Sequence, residues 1–352
     1  MKKKFIKTII VIIAAAVVFS GCGSINDGAK TKFSDQYYDV FDTVVTVTAY
    51  CKDRKSFDAV NAVIHRELSS RHELFDIYNE YEGLNNAATL NRLAGTGALT
   101  EVEPELAELI AYTKTVYEQT GGKVNAAMGA VLKLWHEART LSLDDPSKAY
   151  IPSMDDLKEA AKHCGMDDVY VDLQNSRVRL DDPEMSLDLG AFAKGWAVEK
   201  VAQLIESQAG DWAAKGVGGI IISAGGNVRM IGSKPEGTWT VAIQDPDSPD
   251  GSAYIAVIEN ASGSVVTSGA YQRYYEYNGR KYHHIIDGET LMPEGRYLSV
   301  SVQTADSGCA DALSTALFNM DPEEGMAFAE GLEGVEALWV LPDRTIVKTA
   351  GW

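Results

Sequence analysis

The sequence predicts one α+β domain of mixed and antiparallel sheets with flanking helices. Three observations predict it: helix-period apolar patterns dominate the early chain, period-two patterns take over from Gly218, and no Pro/Gly/Ser-rich linker separates them. With 352 residues the chain could fill one large domain or two ordinary ones. The missing linker favours one, spanning 35–352.

The N-terminus stands apart. Lys2, Lys3, Lys4 and Lys7 precede an apolar run from Ile9 to Phe19, which reads as an export signal at 1–21. The run falls short of the roughly 20 apolar residues a membrane span needs. Ser20-Gly21-Cys22 is similar to a bacterial lipobox, which predicts cleavage before Cys22, lipid on its thiol, and a polar tether at 22–34. The domain would then be held at the extracytoplasmic face of a bacterial cell membrane. Phe19 stands where such boxes usually carry Leu, so uncleaved anchoring stays open.

The elements follow in order. A strand is predicted at 44–49, then a helix over 57–78 from the spacing of Val60, Val63, Ile64, Leu68 and Phe75. The Asn-rich stretch 85–93 reads as a loop entering a short helix. Pro104 opens a helix running to Gly121. Gly121 to Gly129 is a short-chained loop feeding a helix with Leu132 and Trp135, and 141–152, with two prolines, is a surface excursion. Two short strands at 169–172 and 177–180 precede a helix that opens after Asp188 and carries Val198, Val201, Ala202 and Ile205. From there strands are predicted at 220–223, 228–231, 239–243, 253–258, 264–267, 271–277, 281–286 and 297–303. Asn278-Gly279 marks a type I′ hairpin. A helix around Asp311, another after Pro322, and strands at 337–341 and 345–349 complete the chain.

Charged residues at 23% and hydrophobic residues at 45% are globular values, and a net charge of −18 excludes a general nucleic-acid binder, which needs clustered Lys and Arg. Small anions held by backbone amides remain compatible with it. Cys51, Cys164 and Cys309 lack CxxC spacing, so neither a disulfide framework nor a zinc site is expected.

The stretch richest in chemistry is Gly308 to Phe318. Asp311 and Thr315 are four apart and share a helix face among Ala, Leu and Phe neighbours. A carboxylate there needs a cation or a donor, and its oxygens suit Mg²⁺ or Ca²⁺. On this stretch alone the commoner alternative is a helix cap at Asp311 with Thr315 bonding its own backbone. Gly121-Gly122, Gly190 with Gly195, and Gly225-Gly226-Asn227 let backbone approach a ligand, although the last is most simply a hairpin turn. Lys194 could meet phosphate or simply be solvated. In a strand His283 and His284 face opposite ways, so one of them can reach a site, and a histidine there can serve as general base. Cys309 is a nucleophile or, more commonly, a small buried hydrophobe.

Together and in this order, five motifs resemble the ApbE family of bacterial FAD:protein FMN transferases. They are Asp188-Leu189-Gly190-Ala191-Phe192-Ala193-Lys194-Gly195, Ala224-Gly225-Gly226-Asn227-Val228, Thr267-Ser268-Gly269, His284-Ile285-Ile286-Asp287, and Ala310 to Leu317. The resemblance implies a T-fold-like domain with the nucleotide in a deep cleft. It implies Mg²⁺-dependent splitting of FAD, transfer of FMN to a threonine of an exported protein, and release of AMP. By matching positions, Asp311, Thr315 and the Ala191 carbonyl would hold the metal, with Ser314 a weaker ligand. Tyr78, Lys123, Val124, Asn125, Asp188, Lys194 and Ile285 would bind FAD, and His284 would activate the acceptor hydroxyl. Phe41-Asp42-Thr43 replaces the Met-Gly-Thr of many members, Gly122-Lys123-Val124-Asn125 replaces Gly-x-Phe-Asp, and Asp287-Gly288 replaces Asp-Pro. Two other readings fit the same residues: an FAD pyrophosphatase giving FMN and AMP, and a lipoprotein that binds FAD without cutting it.

Overall fold

Val45, Val47, Ala49 and Cys51 are buried and alternate with residues that are only half-buried, the period of two that turns one face of a strand inward. The sheet built around that strand organises the molecule. A computed structural model describes residues 30–248 and 251–352. The sheet comprises β1 (Thr31–Tyr37), β2 (Val45–Cys51), β3 (Val217–Ala224), β4 (Asn227–Ile231), β5 (Ser264–Gly269), β6 (Ser299–Thr304), β7 (Glu336–Val340) and β8 (Ile346–Lys348). These eight strands lie side by side in chain order, each antiparallel to the next. Gly225 and Gly226 close the β3–β4 hairpin with φ of 51° and 92°, the pair of left-handed residues a type I′ turn requires.

The helices are excursions from this meander. They are α1 (Arg54–Phe75), α2 (Pro104–Gln119), α3 (Gly129–Asp144), α4 (Ala193–Ser207), α5 (Ser307–Phe318) and α6 (Pro322–Glu330), with shorter ones at Ala87–Arg92, Met154–Ala161 and Ala209–Ala214. Asp53 caps α1 by accepting from the Ser56 amide at 2.8 Å, and Phe57, Val60, Ile64 and Leu68 form its buried stripe. One sheet face packs against α1, α4 and α5 in the main core. On the other, the hairpin Trp239–Gln244 with Tyr254–Ala261 sets Trp239, Val241 and Ile243 over Met230 and Val265. A third cluster joins α3 to the hairpin Tyr274–Tyr277 with Arg280–His283, where Trp135, Tyr282 and Tyr275 stack with ring centroids 6.0 and 5.6 Å apart.

Three expectations change. The stretch read as a tether, 22–34, overlaps β1, whose residues 31–34 pair with β2, so among the described residues Thr31 to Ser34 belong to the sheet. This edge strand was hidden because only Phe33 and Tyr37 among its residues are large and apolar. The helix Met154–Ala161, capped by Ser153, follows the two-proline excursion. Finally, the strand expected at 281–286 stops at His283, and beyond it Ile286 bridges to Pro293. The signal at 1–21 and Cys22 lie outside the described residues. Among those described, no helix is long and apolar enough to cross a membrane.

Candidate active site

The N-terminus of α5 fixes the centre of the site. Asp306, not Asp311, is its cap, accepting from the Cys309 amide at 2.7 Å. Asp311 therefore lies within the helix, 4% exposed, and the capping alternative for it is excluded. Its carboxylate accepts from Lys194 Nζ at 2.9 and 3.0 Å and from the Gly195 amide at 2.7 Å. These bonds offset the cost of burying the charge. Gly195 is essential to them: a Cβ there would stand 2.4 Å from the Asp311 Cβ and 2.5 Å from the Ser307 carbonyl, so only glycine lets α4 approach α5 this closely. Glu199, one turn further along α4, locks the same contact by accepting from Arg229 and from the Ser307 amide, at 2.9 and 2.8 Å.

Two hydroxyls stand beside Asp311. Ser268 at the end of β5 lies 2.8 Å from Ser314 Oγ and 3.3 Å from Thr315 Oγ1. Ser314, rather than Thr315, bonds back to its own helix, donating to the Asp311 carbonyl at 2.9 Å. Ala191 sits in the turn before α4, where Phe192 and Ala193 both donate to Leu189. A regular helix would give the Gly195 N–H to the Ala191 carbonyl, and here it goes to Asp311 instead. The Ala191 carbonyl thus keeps its acceptor capacity.

This donor set fits a hard divalent cation. Asp311 carboxylate, Thr315 hydroxyl and Ala191 carbonyl all line one cleft, and oxygen donors are what Mg²⁺ takes, completing its shell with water or phosphate. Among the described residues no group of three or more His, Cys, Asp or Glu side chains is placed to hold a metal ion. A metal here rests on one carboxylate, neutral oxygens and the ligand's own oxygens.

The cleft has a volume of about 1100 Å³ and is also lined by Tyr78, Lys123, Val124, Asn125, Asp188, Lys194, His284 and Ile285. That is slightly above the about 300–1,000 Å³ typical of small-molecule sites. Asp76 fixes the Tyr78 loop by accepting from the amides of Tyr78 and Asn79, the Asn79 side chain and the Tyr81 hydroxyl, at 2.7, 3.2, 2.9 and 2.9 Å. Tyr78 remains 61% exposed, an aromatic face 5.5 Å from the His136 ring. Asp188 accepts from the Gly190 amide at 2.8 Å, and burial raises its pKa.

The Lys123 turn is arranged differently from a free ligand loop. Lys123 Nζ binds Glu289 at 2.7 Å, which raises its pKa. Asn125 uses both ends of its side chain within the protein, on the Ala127 amide and the Cys164 carbonyl. Val124 is buried. The loop's shape, more than its free side chains, is what it offers a ligand.

The paired histidines divide their roles. His283 is buried, donates from Nε2 to the Glu294 carbonyl and accepts at Nδ1 from the Ile285 amide, so its ring is fully engaged. His284 keeps solvent contact in the cleft, and its Nδ1 lies 3.3 Å from the Arg273 carbonyl. A carbonyl only accepts, so Nδ1 carries the proton and Nε2 presents a lone pair. Desolvation by the cleft walls, then Arg273, His283 and Arg139, push its pKa down to about 3, keeping the ring neutral. Cys309, by contrast, is a poor nucleophile, since burial pushes its thiol up to about 11.

Sequence reasoning missed Arg139, His136 and Arg273, which line the same cleft. The three-residue spacing of His136 and Arg139 on α3 puts them on one face, but nothing in the pattern says which face meets the cleft. Asp42 is also part of the wall, held at φ 48°, a conformation glycine takes readily and Asp tolerates.

A family model described as the ApbE family matches residues 41–339. The FAD:protein FMN transferase of Treponema pallidum is 33% identical over 95% of this chain and 91% of its own length. A protein of the same description from Klebsiella pneumoniae is 31% identical over 80% of this chain and 85% of its own. The crystal structure of the ApbE protein from Thermotoga maritima superposes with a TM-score of 0.78 at 26% identity, covering 91% of this chain and 98% of that one.

Proposed function

This chain belongs to the ApbE family, and on that premise we propose that it splits FAD at the pyrophosphate, transfers FMN to a threonine hydroxyl of an exported protein and releases AMP, with Mg²⁺ at Asp311. The observation that carries this reading is one cleft holding a buried carboxylate with neighbouring hydroxyls and a neutral histidine with a free Nε2. A bound divalent cation supplies charge neutralisation on the phosphate oxygens. The rest falls to the chain's own residues. Tyr78 offers a face to the flavin, and Lys194 stands beside Asp311 where a pyrophosphate would need a cation. His284 Nε2 takes the proton of the threonine hydroxyl as that oxygen bonds to the FMN phosphorus. The bond from phosphorus to the bridging oxygen breaks, and its electron pair leaves with AMP.

The test incubates the protein with FAD, Mg²⁺ and a candidate exported acceptor. The expected result is FMN mass on the acceptor and one AMP per transfer. Equal AMP release with and without acceptor would establish hydrolysis instead, and FAD binding without AMP would leave a binding lipoprotein. Anchoring at the outer face of the cell membrane is part of the same proposal and is supported by the Lys-rich signal and Cys22. Its check is labelling with a fatty acid in cells, expected to mark the unaltered chain and not a Cys22→Ser chain; absence of label from the unaltered chain, or equal label on both, would contradict lipidation at Cys22.

A further inference from the structure

The arginines of this acidic chain are almost all neutralised. Arg54, Arg66, Arg71, Arg92, Arg177, Arg179, Arg229, Arg296 and Arg344 each pair with a carboxylate. Arg280 lies over the Tyr282 ring at 5.3 Å. Among the described residues only Arg139 and Arg273 have neither kind of partner, and both line the cleft. Arg273 donates to the Asp42 carbonyl at 3.0 Å, and Arg139 Nη2 lies 3.1 Å from His136 Nδ1, contacts that aim each guanidinium without cancelling its charge. Burial and then Arg273 hold Arg139 below its usual pKa, against the weaker opposing pull of Tyr78, Asp42 and Asp188 across the cleft. With 50 Asp and Glu available in the sequence, and the Asp42 and Asp188 carboxylates in the same cleft but in direct contact with neither guanidinium, the pair is left open to an anion from outside.

Position identifies the anion. The Arg273 carbonyl receives both the backbone N–H of His284, at 3.1 Å, and its ring Nδ1–H, so Arg273 flanks the proposed base. Arg139 contacts His136, whose ring neighbours Tyr78. In an in-line displacement the attacking and leaving oxygens lie on opposite sides of the phosphorus, with the remaining oxygens between them. A phosphate lying between an aromatic platform and the base belongs to the flavin half. We propose that Arg139 and Arg273 form a two-guanidinium clamp for the FMN-side phosphate, the group being transferred. This rests on the transferase reading and adds the residues that grip its moving group.

Calorimetry on the full-length protein in detergent tests it, with FMN, riboflavin and AMP as separate ligands and Arg139→Gln and Arg273→Gln as variants. Each variant is expected to weaken FMN about tenfold to a hundredfold, the scale of one charged hydrogen bond, leaving riboflavin and AMP within about twofold. Equal loss of riboflavin would make the arginines structural, and loss of AMP alone would assign them to the leaving half. Unchanged binding with a raised acceptor KM would assign them to the acceptor. Each of these results overturns the clamp. Should a Gln variant fail to fold, Arg273→Lys keeps the charge and loses the fork, and the clamp predicts weaker FMN with unaltered riboflavin. Wild-type FMN binding without transfer to any acceptor would defeat the transferase reading and spare the clamp, whereas wild-type transfer with variant FMN affinity unchanged would do the reverse.

Discussion

Replacing Asp311 by alanine is expected to lower kcat/KM for FMN transfer by about 10³ or more, since the change removes the one buried carboxylate of the proposed metal site. The same change leaves Lys194 Nζ without its acceptor and the Gly195 amide without its bond, so part of the loss in Asp311→Ala reflects unpaired groups. Asp311→Asn separates the two effects. The amide oxygen still accepts from Gly195 while the negative charge is gone, so the fold and FAD binding should persist and turnover should not. Magnesium titrations followed by AMP release provide the check. An Asn variant turning over at the wild-type rate with wild-type Mg²⁺ dependence would remove Asp311 from the chemistry.

His284→Ala is the second large effect: a fall in kcat of about 10² to 10⁴, the range for a general base, with FAD affinity changed only a few-fold. Its pH dependence carries a definite sign. In the free protein the pKa of His284 is lowered to about 3, so the ring is already in its proton-accepting form throughout the range where an ordinary histidine titrates. The acidic limb of kcat/KM should therefore fall below pH 6.5, the ordinary histidine value. Once FAD is bound, its phosphates favour the charged ring, so the acidic limb of kcat should move to higher pH than that of kcat/KM. Both limbs should vanish in His284→Ala. Their persistence in the variant, or an equal loss of FAD binding and transfer, would make His284 a structural residue.

Much of this site was legible because its parts are local. The i, i+4 relation of Asp311 and Thr315, the glycine turns at Gly225-Gly226 and Asn278-Gly279, and the alternation of His283 and His284 depend only on backbone periodicity. What stayed hidden depends on contacts between distant segments. Asp306 and Asp311 both sit near the start of α5, and only the packing of α4 shows that the first caps while the second meets Lys194. Lys123 looks like an available cation in its Gly-rich loop, yet Glu289 claims it from 166 residues away. Arg139 and Arg273 were invisible as a pair because α3 and the Tyr274–Tyr277 hairpin meet only in the folded chain. The strand β1 was concealed for a different reason: a half-exposed edge keeps polar residues, so its pattern imitates a tether.

The most direct measurement is a crystal soaked with FAD and Mn²⁺, with the metal located by its anomalous signal. The expected result is a peak bonded to the Asp311 carboxylate and the Thr315 hydroxyl and touching the FAD pyrophosphate, with His284 on the flavin side of that linkage. A metal elsewhere, or Asp311 and Thr315 turned away from the phosphates, would contradict it.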